Sequence, residues 1–176
     1  MTKNLLADEV LKLRAVEPED IEQLYNWEND TSIWNSGCSI APYSKKTIWE
    51  YIENYSPDIF KANQLRLMIA LRDSGDTIGT IDLYEFDYQN RRAGIGILID
   101  SKYRSKGYAT RSLDIVSTYC GEFLGLHQLW ATIGSNNPHS LNLFKKCGYI
   151  TCGRLRSWLR IGKSYTDALI LQKFID

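Results

Sequence analysis

Ile97-Leu98-Ile99-Asp100-Ser101-Lys102-Tyr103-Arg104-Ser105-Lys106-Gly107-Tyr108-Ala109-Thr110 runs from an apolar strand, through a basic loop containing one glycine, straight into a helix. That succession makes an anion site. A helix start presents unpaired N–H groups and about half a positive charge, so the turn after Gly107 can hold a phosphate. Arg104, Lys106 and Arg111 add mobile cations around it. Gly107 lets the backbone approach phosphate oxygens closely, and Ala109 keeps the first turn narrow. Two familiar phosphate motifs fail here. No GxxxxGK[ST] string exists, and Gly94-Ile95-Gly96 lies inside the strand and is followed by Ile99 where GxGxxG needs a third glycine.

The strand at 92–100 (RAGIGILID) is apolar almost throughout, as a central strand buried on both faces must be. Upstream, 10–16 (VLKLRAV) alternates apolar and polar like a half-buried strand. Glu17-Pro18-Glu19-Asp20 opens a helical pattern through Ile21, Leu24 and Tyr25, with acids in its first turn and Pro near its start. Ser44 precedes Ile48, Tyr51, Ile52 and Tyr55 at helical spacing, which predicts a second helix before Pro57. Residues 65–71 and 77–86 read as strands joined by a hairpin turn at Asp73-Ser74-Gly75-Asp76. Downstream, Leu113, Val116, Cys120 and Phe123 recur at steps of three and four, the apolar stripe of a helix ending near 121–125. Residues 127–133 read as a strand, 138–146 as a short helix stopped at Gly148, and 149–159 and 165–174 as strands joined at Ile161-Gly162-Lys163. The order β-α-α-β-β-β-α-β-α-β-β predicts an α/β fold, a mixed sheet with helices on both faces.

With 176 residues, 44% hydrophobic and 24% charged, the chain suits one domain, 1–176, with a core that needs no metal or disulfide staple. Its 21 basic and 21 acidic side chains cancel, which argues against a broadly basic nucleic-acid surface. Cys38, Cys120, Cys147 and Cys152 show no CxxC spacing and the two His no ligand pattern. No metal site is expected, and the cysteines read as core thiols in a reducing cytosol. The opening MTKNLLADEV carries acids where a secretory leader needs a basic and then apolar run. No apolar stretch approaches the roughly 20 residues that span a bilayer. A cytoplasmic protein without membrane or nucleic-acid partners is the expectation.

The R-x-x-G-x-A loop, Arg104 to Ala109, resembles the pyrophosphate loop of the GCN5-related N-acetyltransferases. Asn137-Pro138-His139-Ser140-Leu141-Asn142-Leu143-Phe144-Lys145-Lys146-Cys147-Gly148-Tyr149 resembles the N-x-x-S/A-x-x-L/I-[FY]-x-K-x-G-[FY] stretch of the same superfamily and follows about thirty residues later. Leu11-Lys12-Leu13-Arg14 with Glu19-Asp20 is similar to the L-R-x-x-x-x-x-D entry of the branch holding ribosomal-protein and polyamine acetyltransferases. Thr80-Ile81-Asp82-Leu83-Tyr84-Glu85, Asn90-Arg91-Arg92-Ala93, Gly153-Arg154-Leu155 and Tyr165-Thr166-Asp167-Ala168 continue the likeness. Spermidine/diamine N-acetyltransferases are the nearest group.

This resemblance implies the GNAT fold: a mostly antiparallel sheet of about seven strands whose two central parallel strands splay around acetyl-CoA. Ile97, Leu98 and Ile99 would offer backbone groups to the pantetheine. Arg104, Ser105, Lys106, Gly107, Tyr108, Ala109 and Thr110 would wrap the pyrophosphate. Asn137, Ser140, Asn142, Phe144 and Lys146 would line the other side, with the Asn137 amide reaching the amide-rich arm of coenzyme A. Glu85 matches a carboxylate facing the substrate amine. An alkyl amine of pKa about 10.4 must lose a proton before attacking a thioester, at a cost of about 4.6 kcal/mol at pH 7. A carboxylate can attract the cation and accept or relay that proton. Asp82 and Asp87 are nearby competitors for the role. Where the polyamine branch places a Tyr able to protonate the leaving thiolate, this chain has Phe144, so Ser140 or water is the candidate donor. Phe144 would pack on the cofactor arm.

A second departure concerns the acceptor. Ile40-Ala41 precede Pro42-Tyr43 where the polyamine enzymes carry adjacent Glu residues, and Gly94 stands where they have Glu. Glu28, Asp30, Glu50 and Glu53 could still attract a cationic amine, although they read first as solvated helix faces. Trp27, Trp34, Trp49 and Tyr51 lie in the helices that would roof the acceptor, as core or self-association contacts with one or two left to wall the site. Trp130 and Trp158 read as core. The resemblance implies an acetyl-CoA-dependent N-acetyltransferase acting on a primary amine of a small molecule, a polyamine or diamine such as spermidine, in a homo-oligomer. An N-terminal protein acetyltransferase and a non-catalytic acyl-CoA-binding protein are the alternatives.

Overall fold

Pairing along the sheet is antiparallel at every step but one. In a computed structural model that describes residues 4–34, 41–56 and 58–175, apart from the Phe60 side chain, seven strands share one sheet. They are β1 (Leu11–Arg14), β2 (Gln64–Leu71), β3 (Thr77–Asp87), β4 (Arg92–Ile99), β5 (Gln128–Gly134), β6 (Ile150–Ile161) and β7 (Ser164–Phe174). Their spatial order is β1-β2-β3-β4-β5-β7-β6. β4 sits at the centre, as its unbroken apolar run requires. Its pairing with β5 is the parallel step.

The helices are α1 (Ile21–Glu28), α2 (Lys45–Glu53), α3 (Ile59–Ala62), α4 (Tyr108–Glu122) and α5 (Pro138–Lys146). Strand alternation divides them between the faces. Leu67, Ile69, Ile81, Leu83 and Ile95 pack against Leu113, Val116 and Cys120 of α4 and Leu141 and Phe144 of α5. On the opposite face Met68 and Leu98 meet Leu24 and Trp27 of α1 and Ile48 of α2. Ser44 caps α2 by accepting from the Thr47 N–H at 3.1 Å. The β2–β3 turn closes at Gly75, whose φ of +79° is the left-handed conformation glycine supplies.

Several sequence expectations need correction. A short helix, α3, and a 3-10 turn, Ser101–Tyr103, lie between the expected elements, and the opening of the first expected helix is itself a 3-10 turn, Pro18–Asp20, because runs of three or four residues leave no periodicity to read. Phe123, placed on the buried stripe of α4, is exposed just past the end of that helix. Trp158, expected in the core, is also exposed, since edge strand β6 has solvent along one side. Cys120 and Cys147 are buried free thiols, whereas Cys152 is exposed and Cys38 lies outside the described residues. Among the acids expected in the first helical turn, Asp20 is buried. It is 3% exposed and grips Arg14 through two contacts of 2.7 Å while accepting from the Glu17 N–H at 2.9 Å. Burial pushes its carboxyl up, but the Arg14 guanidinium and the Glu17 N–H bring it below the ordinary carboxylate range.

Candidate active site

The central fork is built first by what pairs and then by what ceases to pair. β4 and β5 are in register only at Arg92↔Gln128, Ala93↔Leu129 and Gly94↔Trp130. Beyond that row β4 keeps β3 and β5 keeps β7, so from Ile95 onward the two parallel strands part. Tyr84 fills the last paired row. Its ring stands edge-on to Trp130 at 5.4 Å and covers Gly94 so closely that a Cβ there would lie 2.2 Å from the ring. Within the parted stretch of β4, Ile97 packs toward the α4 face and Leu98 toward the α1–α2 face.

At the open end β4 runs into the basic loop. Ser105 and Gly107 both take positive φ, +61° and +83°. A Cβ at Gly107 would meet nothing within 4 Å, so the loop leaves open space in front of the first turn of α4. The turn's N–H groups have no acceptor within the helix. Arg104 lies beside them with its Nε donating to the Ile99 carbonyl at 3.0 Å, and Lys106 Nζ lies 5.3 Å from the Tyr103 ring centre. Arg111 is not a mobile cation, since Asp8 holds it at 2.8 Å and Glu9 holds it as well. Asp100 fastens the loop to α1: its carboxylate accepts from Trp27 Nε1 and Gln23 Nε2, each at 3.0 Å, and from the Lys102 N–H. Those three donors outweigh burial and hold Asp100 below the ordinary carboxylate range. Beside this corner lies a cavity of about 220 Å³ bounded by Trp27, Asp30, Leu98 and Arg104.

The helix α5 supplies the other wall. Asn137 accepts from the Ser140 N–H at 3.1 Å, which caps α5 and leaves the NH₂ of the amide to donate elsewhere. Asn142 and Lys146 share the exposed face of α5, and Thr110 hydrogen-bonds Cys147, so the far end of α5 abuts the first turn of α4. Phe144 is 2% exposed and stands edge-on to Tyr149 at 4.9 Å, within the core beneath α5. The structure thus brings the loop residues together with Ile97, Leu98 and Ile99 at the open end of the fork, with the far end of α5 against the first turn of α4. Glu85 stands apart from Ser140. It follows the Tyr84↔Gly94 row at the closed end, while Ser140 lies on the helix entered from the open end of β5.

Glu85 sits in a β-bulge between Tyr84 and Asp87, with φ of +51° and its N–H donating to Asn63 O at 3.2 Å. Bulges re-aim side chains at the edges of sites, and this one leaves Glu85 exposed. Both competing acids have partners. Asp87 pairs with Arg92 at 2.8 Å and Asp82 with Arg66 at 2.7 Å.

Arg66 is the residue that sequence reasoning missed. Its guanidinium also reaches Glu28 of α1 at 3.1 Å and lies 5.5 Å from the Tyr51 ring centre. Burial disfavours its charge, but Asp82, Tyr51 and Glu28 more than offset that, and its pKa rises. Burial pushes the Tyr51 hydroxyl up to about 12. Glu28, expected on a solvated helix face, therefore belongs to a three-residue network, whereas Glu50 meets Lys46 at 3.6 Å on the surface of α2. Alternation along β2 and β3 assigns each residue a face, but it is the pairing register that puts Arg66 opposite Asp82 on the helix-covered one. A second cavity, of about 410 Å³, adjoins the network, bounded by Tyr51, Tyr55, Lys61 and Gln64.

Residues 11–150 match the acetyltransferase (GNAT) domain family. The chain belongs to that family. It is an acetyl-CoA-dependent N-acetyltransferase, and the fork, the left-handed Gly107 and the unpaired first turn of α4 fit a diphosphate ligand. Spermidine N(1)-acetyltransferase of Escherichia coli (strain K12) is 26% identical over 159 residues, which is 90% of this chain and 83% of that protein. The fold is that of Vibrio cholerae spermidine N-acetyltransferase solved with CoA and spermine, with a TM-score of 0.83 at 24% identity over 96% of this chain and 97% of that one. A dodecameric structure of the Vibrio cholerae enzyme gives 0.77 at 26% identity, with 95% of each chain covered. Among the described residues no helix is long and apolar enough to cross a membrane, and no cluster of three or more metal-ligating side chains occurs.

Proposed function

We propose that residues 1–176 form one catalytic domain, which acetylates a primary amine of a small polyamine or diamine such as spermidine, in the cytoplasm and as a homo-oligomer. The observation that carries the reading is the exposed Glu85 carboxylate, re-aimed by a bulge beside the row where β4 and β5 part. In this reading acetyl-CoA lies along β4 with its diphosphate on Arg104, Ser105, Lys106, Gly107, Tyr108, Ala109 and Thr110. Ile97, Leu98, Ile99, Asn137, Asn142 and Lys146 flank its arm. Glu85 attracts the ammonium and takes its proton, directly or through one water. The freed amine attacks the thioester carbonyl in a ternary complex, where positioning supplies much of the acceleration. As the tetrahedral intermediate collapses, the C–S bond breaks and the thiolate takes a proton from water, or from Ser140 relayed through water, because Ser140 stands apart from Glu85.

The curated likeness to spermidine N(1)-acetyltransferase supports a polyamine acceptor. Self-association is supported by Trp158 and Tyr165, both exposed on the edge hairpin β6–β7, and by the dodecameric neighbour. The test is thiol release from acetyl-CoA with spermidine, putrescine, amino acids, aminoglycosides and short peptides, with products identified by mass. Preferential turnover of the di- and polyamines is expected. Turnover confined to peptide N-termini, or tight acetyl-CoA binding without turnover on any acceptor, would replace this reading.

A further inference from the structure

Arg66 and Asp82 lie on the sheet face roofed by α1 and α2, in the register row that includes Gly96, inside the parted stretch of β4. Glu28 reaches down to the same guanidinium from the last turn of α1. Two carboxylates thus share one cation at the acceptor side of the fork, and each of the three side chains keeps roughly a fifth to a quarter of its surface open to solvent. Tyr55 locks the strand position of Arg66 from α2's end, accepting from its N–H at 2.9 Å and donating to its carbonyl at 3.2 Å. Tyr51 covers the guanidinium from above. The group is therefore fixed in place, and its net charge is −1.

We propose that Arg66 is a specificity-determining residue: by holding Glu28 and Asp82 as counter-ions it limits how strongly the acceptor side attracts multiply charged amines. This inference rests on the amine-acetyltransferase reading above and refines it. A monoamine presents one charge and a triamine three. A change of one charge in the Arg66 network therefore acts on the triamine several times more strongly, by an interaction that salt screens. With Arg66 in place the preference for di- and polyamines over a monoamine is held to a moderate level. Without it, the same face would select for polyamines more strongly.

The measurement is the ratio of kcat/KM for spermidine to that for propylamine, in low salt, across a ladder of network charge. Arg66→Gln (net −2) raises the ratio about tenfold, and Glu28→Gln (net 0) lowers it about fivefold, both through KM rather than kcat and both shrinking in 0.5 M salt, as screening requires. Arg66→Lys keeps the wild-type ratio. Should Arg66→Gln fail to fold, Glu28→Gln, altered on the partly exposed helix, still decides. A ratio unmoved within twofold in the folded variants, or moved in the opposite order, overturns the inference while leaving the proposed function intact. A wild-type enzyme that acetylates neither amine removes the proposed function, and this refinement with it.

Discussion

The two sides of the fork are made of different materials. The cofactor side is backbone: a parted strand edge, a loop turned by Ser105 and Gly107, and the bare first turn of α4, all within the contiguous stretch from Ile97 to Thr110. The proposed acceptor side is side chain: Glu28 from α1, Tyr51 from α2, Arg66 from β2, and Asp82 and the bulge residue Glu85 from β3. Backbone donors recognise what is common to every acyl-CoA reaction and tolerate replacement of neighbouring side chains. Four charged side chains gathered from three elements can be altered one at a time, and acceptor choice can change while the fork stays as it is.

Gly107→Glu should produce the largest effect and break the cofactor side alone. It puts a side chain at φ +83° and a carboxylate before the anion site. Two like charges about 4 Å apart repel by about 4 kcal/mol at an effective dielectric near 20, so acetyl-CoA affinity should fall about 1,000-fold. Calorimetry reads this directly, and thermal protection by acetyl-CoA should vanish with it. Glu85→Gln is the mirror experiment. The acetyl-CoA dissociation constant should stay at the wild-type value while kcat/KM for the amine drops about 100-fold at neutral pH. The deficit should narrow as pH rises toward the amine pKa of about 10.4, because deprotonated amine then arrives without help. A deficit constant with pH would make Glu85 an anchor rather than a base.

That division also explains what the sequence could show. The strand-loop-helix passage and the capped α5 are local, so Gly107 and Asn137 announce themselves by residue type and spacing. The alternating strands and the helical spacing likewise placed all seven strands and four of the five helices found among the described residues. The Arg14–Asp20 pair gives physical meaning to an L-R…D pattern that was legible only as a pattern. Arg66 was silent for the opposite reason. Its partners lie 38 positions before it and 16 after it, and only the pairing register brings them onto one face. Glu85 was picked out by resemblance, but the bulge that turns it outward depends on Asn63, itself at φ +52°, across the strand pair. Phe123 and Trp158 failed because periodicity reports a face and says nothing of where an element ends or whether a strand has an outer neighbour.

Gly94→Ala attacks the seam between the two sides. The new methyl would enter the Tyr84 ring at 2.2 Å, and that ring is itself held against Trp130. Overpacking of this kind costs about 2 kcal/mol. Urea unfolding should show that loss with the slope unchanged, and both substrates should bind more weakly because the fork they share is displaced. An effect on acetyl-CoA alone would mean that the closed row belongs to the cofactor side rather than to both.

The smallest effect separates two jobs of one residue. Asn137 caps α5 with its amide oxygen, and the resemblance assigns its NH₂ to the arm of coenzyme A. Asn137→Ala removes both and should lower stability by about 1 kcal/mol, the usual worth of a cap. It should also weaken acetyl-CoA about fivefold, the worth of one ordinary hydrogen bond. Asn137→Ser restores a competent cap without the amide. Its thermal midpoint should return to that of the wild type while the fivefold loss in affinity persists. If Asn137→Ser binds acetyl-CoA as tightly as the wild type, Asn137 serves the helix alone, and the backbone of the fork and loop is sufficient to hold the cofactor without it.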